Sequence, residues 1–395
     1  VEPYILDGMS APAREQEELF LSNIWENIAG EIAEARKVSA DTVNHWANGS
    51  IYAAPTEDYV KMHIADRMVY RHEFDSIVAY ATGVGDVNDL NPVTPAEYCQ
   101  VNDVFRKGDG GSANIAVLYA CGDITDETGE GIVARTMVPQ ILSLADDKSI
   151  DGLIMYVNSG GGSAFASEQI WEALEQWKSL TGKPFFVSMA DYAASGGYYI
   201  SCGADRIYAQ PTTLTGSIGI FGLIPDLKGL ISGKFGITTS TVATNPNGAM
   251  PSLLQPMSPA QQASMQAYVD RGYELFTARC AQGRGLSQDS LKMIAEGRVW
   301  DGSEALKLGL VDEIGGLDAA IQGMAKRLDV TSWTVRNYPE RKEKWYDLLV
   351  EAGADIKADI VRDELGEMAS LYDTLNSIKG MSTLQARMEA MDVNL

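Results

Sequence analysis

The sequence predicts an α/β protein built around a mainly parallel sheet. Strand-like apolar runs occupy residues 114–119, 152–157 and 184–188. A helix-like stretch lies between the last two, with apolar residues at helical spacing from Ile170 to Leu180. Strands that alternate with helices are typical of parallel sheets, whose functional sites lie at the carboxyl ends of the strands.

Composition and charge exclude several classes of protein. The 395 residues are 45% hydrophobic and 22% charged, as in ordinary globular proteins, and the length allows two or three domains. The formal net charge of −23 argues against a nucleic-acid partner and against binding to anionic membrane surfaces. No uninterrupted apolar run approaches the ~18 residues that predict a transmembrane helix.

Cysteine and histidine usage argues against metal and histidine-based sites. The four cysteines are far apart in sequence: Cys99, Cys121, Cys202 and Cys280. Without a CxxC pair, a zinc ribbon or thioredoxin-like site is not expected. The three histidines all lie between residues 45 and 72, where surface or structural roles are the ordinary interpretation. A serine–histidine–aspartate enzyme built on the rest of the chain would lack its base.

The chain contains an internal repeat. Residues 9–49 align with residues 257–297 at a constant offset of 248, and each copy opens with a serine N-cap before a long amphipathic helix. Ser258 and Gln261 fit a capping box. A second helix follows in each copy, where the offset falls to about 242. A period this long indicates two homologous domains.

The two copies differ in what precedes them. A long α/β stretch leads into the second copy, whereas only residues 1–8 precede the first, so the chain is expected to begin inside its first domain. We predict four segments. Residues 1–82 form the mostly helical C-terminal part of the first domain, 83–112 a linker, 113–330 a complete domain and 331–395 a helical extension.

Two glycine-rich segments follow strands and indicate acyl chemistry. Residues 158–163 read Asn-Ser-Gly-Gly-Gly-Ser, and residues 191–198 read Asp-Tyr-Ala-Ala-Ser-Gly-Gly-Tyr. A serine between a strand and a helix, followed by two glycines, exposes its hydroxyl where backbone amides converge and can bind an oxyanion. Each segment alone is more often an ordinary turn. Together on adjacent strands they favour an acyl-handling site, and no Gly-Lys-Ser/Thr follows to suggest a phosphate loop.

Three segments resemble the hallmark motifs of the signal peptide peptidase A, or protease IV, family. They are the two glycine-rich segments and residues 214–221, which read Leu-Thr-Gly-Ser-Ile-Gly-Ile-Phe. The similarity continues to Asp312, and residues 1–10 resemble the middle of the long, duplicated form. One departure is Gly160, where the family usually has proline. The resemblance implies a Clp protease/crotonase-like fold of repeated ββα units, with the second unit complete and the first truncated.

The resemblance also implies a serine–lysine dyad that needs no cofactor or metal. Ser195 would be the nucleophile, and the amides of Gly161 and Gly196 would form the oxyanion hole. Ser217 would orient the lysine, although a packing role in a tight turn is equally compatible with its position. The base would be a lysine whose pKa is lowered by burial, which agrees with the lack of a suitable histidine.

The resemblance also implies where that lysine lies. In the duplicated form it lies just upstream of the stretch that resembles Val1–Pro3, so we expect it before residue 1. The equivalent residues 245–248 contain no lysine, and Lys234 is a weak substitute. The chain is therefore expected to hold the nucleophile and oxyanion hole without the base, and to be inactive or severely impaired by itself.

The resemblance implies a serine endopeptidase that degrades cleaved signal peptides and short hydrophobic peptides. It further implies a ring-like, tetramer-like homo-oligomer on the periplasmic face of the cell inner membrane, attached through a segment outside this chain. Two alternatives stay open. One is an acyl-CoA hydratase or isomerase of the same superfold, which needs a carboxylate base; the other is a non-catalytic assembly subunit.

Overall fold

A computed structural model describes residues 5–49, 51–93, 112–126, 131–245, 247–248, 250, 252–339 and 385–387. Contacts divide the chain into two compact units, Val1–Phe20 with Gly110–Asn394, and Leu21–Asp109.

The helices of the described residues are α1 Ala11–Arg36, α2 Ala40–Asn48, α3 Thr56–Lys61, α4 Arg71–Ala81, α5 Ala134–Asp146, α6 Ala164–Thr181, α7 Gly196–Ser201, α8 Lys228–Phe235, α9 Pro259–Arg284, α10 Gln288–Lys292, α11 Gly302–Lys307 and α12 Leu317–Arg327. The strands are β1 Ala113–Cys121, β2 Ile124–Thr125, β3 Ile132–Val133, β4 Gly152–Ser159, β5 Gly161–Ser163, β6 Phe185–Ala194, β7 Arg206–Ala209, β8 Leu214–Gly216, β9 Val299–Asp301, β10 Glu313–Ile314, β11 Trp333–Tyr338 and β12 Gln385–Arg387.

The main sheet is parallel along its length, as the sequence predicts. Its strand order is β10-β7-β6-β4-β1-β11, and β8 pairs in parallel with the far end of β6. Among the described strands of this sheet, β9 alone runs antiparallel, against β8. A small second sheet has the order β12-β5-β2-β3.

Both faces of the main sheet are covered, which explains why its strands read as continuous apolar runs. On one face, α5, α6 and α7 pack on strand residues such as Leu118, Leu153 and Val187. On the other face, α12 packs through Ile321 and Met324 on apolar residues of β1, β4, β6 and β7.

In the second unit, buried residues of α1 and α2 form an apolar cluster. Ala29 and Ala33 of α1 cluster with Val43 and Trp46 of α2. Ser39 caps the start of α2, and its side chain accepts a hydrogen bond from the backbone N–H of Thr42.

The repeat predicted from sequence is visible in the helices. α1 and α9 have 26 residues each and begin and end 248 residues apart. The capping box of Ser258 and Gln261 is present at the start of α9. α4 and α12 have 11 residues each and begin 246 residues apart, because more residues separate α12 than α4 from the segment before it that aligns at an offset of about 242.

The boundary predicted at residue 330 is wrong in one respect. Residues 333–338 form β11, which pairs with β1 and extends the main sheet past that boundary. The sequence predicts a helical extension for residues 331–395, because the charged residues that follow make a short edge strand hard to recognise. Residues 340–384 and most of the predicted linker, 94–111, lie outside the described residues, so the remaining domain assignment stays a prediction. None of the described helices combines the length and apolar character needed to cross a membrane.

Candidate active site

Ser195 lies at a strained elbow, residues 194–197, between the end of β6 and the start of α7. Its φ of 53° and ψ of −115° are unusual for a residue with a side chain, and such strain clusters at functional sites. Two backbone hydrogen bonds hold it. The Ser195 N–H donates to the Gly216 carbonyl at 2.8 Å, and the Ser195 carbonyl accepts the Tyr199 N–H at 2.8 Å.

The hydroxyl of Ser195 is buried without a partner. The residue is 1% exposed, and among the described residues nothing hydrogen-bonds its Oγ. An unsatisfied buried polar group costs about 1–3 kcal/mol, so its retention calls for a functional explanation. Gly196 follows as the first residue of α7, where backbone N–H groups have no partner within the helix.

The second glycine-rich segment forms a tight turn between β4 and β5, which we call the glycine turn, residues 159–162. Gly161 has a φ of +102° and Gly162 a φ of +152°, values that favour glycine. The N–H of Gly161 donates to Ser159 Oγ at 3.1 Å, and that hydroxyl donates to the Gly122 carbonyl at 2.6 Å. The turn is therefore held by a side chain of its own first residue.

The fold brings the glycine turn and the elbow together. β4 and β6 are neighbours, and after a register shift Ser159 pairs with Ala193. A Cβ added to Gly197 would lie 2.5 Å from the Ser159 carbonyl oxygen, so only glycine fits where α7 approaches the turn. The two motifs predicted to lie on adjacent strands do so.

The third motif lies on the other side of the elbow. β8 pairs with Tyr192–Ala194 of β6 and ends at Gly216. Ser217 follows with a φ of 47°; it is 7% exposed, and its N–H donates to the Arg298 carbonyl at 2.6 Å. The structure thus places Ser217 one residue after the carbonyl that accepts the Ser195 N–H.

Buried tyrosines anchor α7 beneath the elbow. Tyr198 donates its hydroxyl to the Leu310 carbonyl at 3.0 Å, and burial raises its pKa well above the usual range. Tyr199 donates to Glu168 at 2.6 Å, and burial, followed by that hydrogen bond, raises its pKa as well. Both phenols stay protonated at neutral pH, so they act as structural donors and not as bases.

The titratable side chains considered as bases are exposed. This applies to Lys234, near the end of α8, and to His45, His63 and His72. A dyad lysine needs burial to lower its pKa, and the exposed side chain of Lys234 lacks that environment.

Sequence reasoning missed two features of the site. The sequence marks Ser159 only as part of a glycine-rich motif. A serine hydroxyl can also bond to the backbone two residues later in an ST-turn, which is the arrangement found here. β12 pairs antiparallel with β5, with Ala386 opposite Gly162 and Arg387 opposite Gly161. No local pattern in residues 385–387 predicts this pairing, because it depends on the distant edge that they meet.

Two protein-family profiles match the part of the chain that contains the main sheet and the elbow. The profile of Peptidase family S49 matches residues 178–331, and the Clp protease profile matches residues 118–213. Protease 4 of Salmonella typhi is 32% identical over 349 residues, covering 86% of this chain and 55% of that protein. Protease 4 of Haemophilus influenzae is 34% identical over 347 residues, covering 81% of this chain and 53% of that protein.

The chain spans about half the length of these two relatives. A shorter relative from Enterococcus faecium, which carries the name of signal peptide peptidase SppA, is 32% identical over 254 residues. That alignment covers 56% of this chain and 72% of the relative. The Clp protease match and the parallel sheet confirm the predicted Clp protease-like α/β fold. The chain belongs to peptidase family S49.

Proposed function

We propose that this chain supplies the nucleophile and oxyanion hole of a serine endopeptidase that uses a serine–lysine dyad. The observation that carries the proposal is the buried Oγ of Ser195, which has no hydrogen-bond partner among the described residues and lies at a strained elbow beside the glycine turn. A nucleophilic serine needs a base within hydrogen-bond reach, and the unoccupied hydrogen-bonding capacity of Ser195 leaves room for one. The lysine would come from sequence upstream of residue 1.

The proposed reaction proceeds through an acyl-enzyme. Ser195 Oγ attacks the carbonyl carbon of a peptide bond while its proton passes to the neutral lysine amine. The oxyanion accepts hydrogen bonds from the amides of Gly161 and Gly196. When the carbonyl re-forms, the peptide C–N bond breaks and the lysine returns the proton to the leaving amine. A water molecule, deprotonated by the same lysine, then attacks the ester carbonyl. The bond between the acyl carbon and Ser195 Oγ breaks, and the lysine returns the proton to Ser195 Oγ.

The pairing of β12 with β5 supports an extended peptide as the substrate. Gln385–Arg387 adds an antiparallel strand to the edge of β5, with Arg387 opposite Gly161. Addition of a strand to an exposed edge is a general mode of peptide recognition. A substrate lying on this edge would run past the glycine turn and the elbow next to it.

The finer substrate and location are proposed from the family. The relatives include proteins named Protease 4 and SppA, and we propose cleaved signal peptides and other short hydrophobic peptides as substrates. We further propose a ring-like homo-oligomer attached to the inner membrane and facing the periplasm, with the attachment outside this chain. Ser217 is proposed to orient the lysine.

The decisive experiment compares this chain alone with the chain extended upstream to include the proposed lysine. We expect only the extended protein to hydrolyse a short hydrophobic peptide and to react rapidly with a fluorophosphonate at Ser195. Ser195→Ala should abolish both, and replacing the upstream lysine by alanine should reduce hydrolysis by several orders of magnitude.

Ser167→Ala is a matched control, because Ser167 of α6 is fully buried and its hydroxyl donates to the carbonyl of Ser163, the residue that precedes the helix. It should retain activity, as should Lys234→Ala. Loss of activity in Lys234→Ala, or turnover of a CoA thioester without peptide hydrolysis, would contradict the proposal.

A further inference from the structure

Ser159 holds the start of the glycine turn, whose later residues Gly161 and Gly162 also pair in the small sheet. It is the last residue of β4 and is 2% exposed. Its Oγ donates to the Gly122 carbonyl at 2.6 Å and accepts the N–H of Gly161 at 3.1 Å. A serine hydroxyl has one proton and two lone pairs, so the bond to Gly122 commits the proton and leaves a lone pair aimed at Gly161.

The acceptor that orients this hydroxyl is itself held in place. The Gly122 N–H donates to the Asn158 carbonyl at 2.9 Å, so Gly122 is bonded to two consecutive residues at the end of β4. Rotation of the Ser159 side chain would break both the bond to Gly122 and the bond to Gly161. The direction of the Gly161 amide is thereby tied to the main sheet.

The backbone of Ser159 contacts the elbow as well. Ser159 pairs with Ala193 of β6, and its carbonyl oxygen occupies the space that a Cβ on Gly197 would need. A single residue therefore touches the segments that carry both proposed oxyanion donors, Gly161 through its hydroxyl and Gly196–Gly197 through its carbonyl.

The turn needs such a restraint because residues 160–162 are all glycine. Glycine loses more backbone freedom on folding than any other residue, and here no side chain or ring within the turn limits it. The backbone that carries an oxyanion donor must be ordered before the reaction, since ordering it during the chemical step reduces the benefit of the donor.

We propose that Ser159 is a positioning residue for the oxyanion hole. Its hydroxyl holds the Gly161 amide in the free protein and releases it to the oxyanion in the transition state. The bond from Gly161 to Ser159 is 3.1 Å long, near the long limit for N–H···O bonds. A charged oxygen forms shorter and stronger hydrogen bonds, so transfer of the Gly161 N–H from Ser159 Oγ to the oxyanion is favourable. This inference rests on the proposed function, in which Gly161 is an oxyanion donor.

The first test measures Ser195 modification in the extended protein that carries the proposed lysine. In Ser159→Ala the maximal rate of fluorophosphonate labelling should fall about tenfold, while the half-saturating concentration stays within about twofold. Ser167→Ala removes an equally buried serine hydroxyl bonded to a carbonyl and should change neither value beyond about twofold. Equal labelling of Ser159→Ala and the unmodified protein would overturn the inference.

The second test follows the turn directly and does not depend on activity. Amide hydrogen exchange in peptides covering residues 158–163 should be at least about tenfold faster in Ser159→Ala than in Ser167→Ala. Unchanged exchange would overturn the inference. If the unmodified protein does not label at Ser195 but the exchange difference is present, the proposed function fails while the positioning of the turn stands.

A second-site change separates positioning from general packing. Gly160→Pro fixes one backbone angle in the turn by a route that does not use the hydroxyl. In the Ser159→Ala background it should restore at least about half of the lost labelling rate. Suppose that Gly160→Pro does not restore the labelling rate of Ser159→Ala and that the thermal midpoint of unfolding is unchanged. Ser159 would then not act through the turn.

Discussion

The backbone N–H of Ser195 donates to the carbonyl of Gly216 at 2.8 Å, which joins the elbow to the end of β8. The N–H of the next residue, Ser217, donates to the carbonyl of Arg298, which immediately precedes the antiparallel strand β9. The conformation of the proposed nucleophile therefore depends on a strand outside its own motif. Four predictions follow from this and neighbouring contacts, and each concerns one substitution.

Gly216→Ala should destabilise the fold. The residue has a φ of +76°, and an added Cβ would lie 2.9 Å from Trp300 Cδ1 and 3.0 Å from the Arg298 carbonyl. We expect the free energy of unfolding, measured by urea denaturation, to fall by about 1–3 kcal/mol. Gly229→Ala in α8, where no atom lies within 4 Å of the added Cβ, is the control and should not destabilise. Equal denaturation midpoints for the two variants would contradict this.

Gly197→Ala should impair the site although alanine favours helices. In an open helical position the change would stabilise by up to about 1 kcal/mol. Here the new Cβ would lie 2.5 Å from the Ser159 carbonyl, so α7 must move away from the glycine turn. We expect fluorophosphonate labelling of Ser195 in the extended protein to slow by at least about tenfold. Gly233→Ala, with open space around its Cβ, should label normally.

Ala386→Pro should increase access to the proposed substrate edge. Proline lacks the backbone N–H and fixes its own backbone, so it weakens the pairing of β12 with β5. We expect the extended protein to label faster at Ser195 and to bind a short peptide more tightly, as measured by KM. Ala386→Ser retains the N–H and is the matched control. A slower reaction in the proline variant would show that β12 assists the site instead of competing for it.

Tyr208→Phe should change the alkaline stability of the domain. Burial, followed by the nearby Glu313 carboxylate, raises the pKa of Tyr208 to about 12. An unfolded tyrosine ionises near pH ~10, so the folded state holds the proton more tightly. This contribution to stability is complete below about pH 10 and is lost as the pH rises through about 12.

The measurement is the urea midpoint at about pH 9 and about pH 11. The urea midpoint should fall less between these two pH values for Tyr208→Phe than for the unmodified chain. Tyr268→Phe, at an exposed position, is the control. A decline that is identical in all three proteins would contradict the assignment to Tyr208.

Sequence patterns identify the central strands and the elbow, but they do not identify the restraints around them. Strands β1, β4 and β6 are buried on both faces, so their apolar runs are long enough to recognise. The serine between a strand and two glycines likewise marks the elbow locally. The edge strand β11 is different, since only its pairing with β1 distinguishes it from a charged tail.

The same distinction applies within the site. The glycine turn is recognisable from its composition, yet the bond from Ser159 to Gly122 joins residues 37 positions apart. A contact of that kind depends on how the chain returns to the sheet, which a local pattern does not encode. The exposure of the Lys234 side chain likewise depends on where α8 lies in the fold.

The position of β11 beside β1 has a consequence for biosynthesis. Ser112 and Ser332, at the starts of these two strands, are hydrogen-bonded across 220 residues of chain. At a translation rate of about 5–20 residues per second, β1 leaves the ribosome roughly 10–40 s before its outer neighbour. During that interval one side of β1 remains an open edge that can pair with other chains. The nascent domain therefore has a period of aggregation risk, set by topology, that ends only when its last long strand emerges.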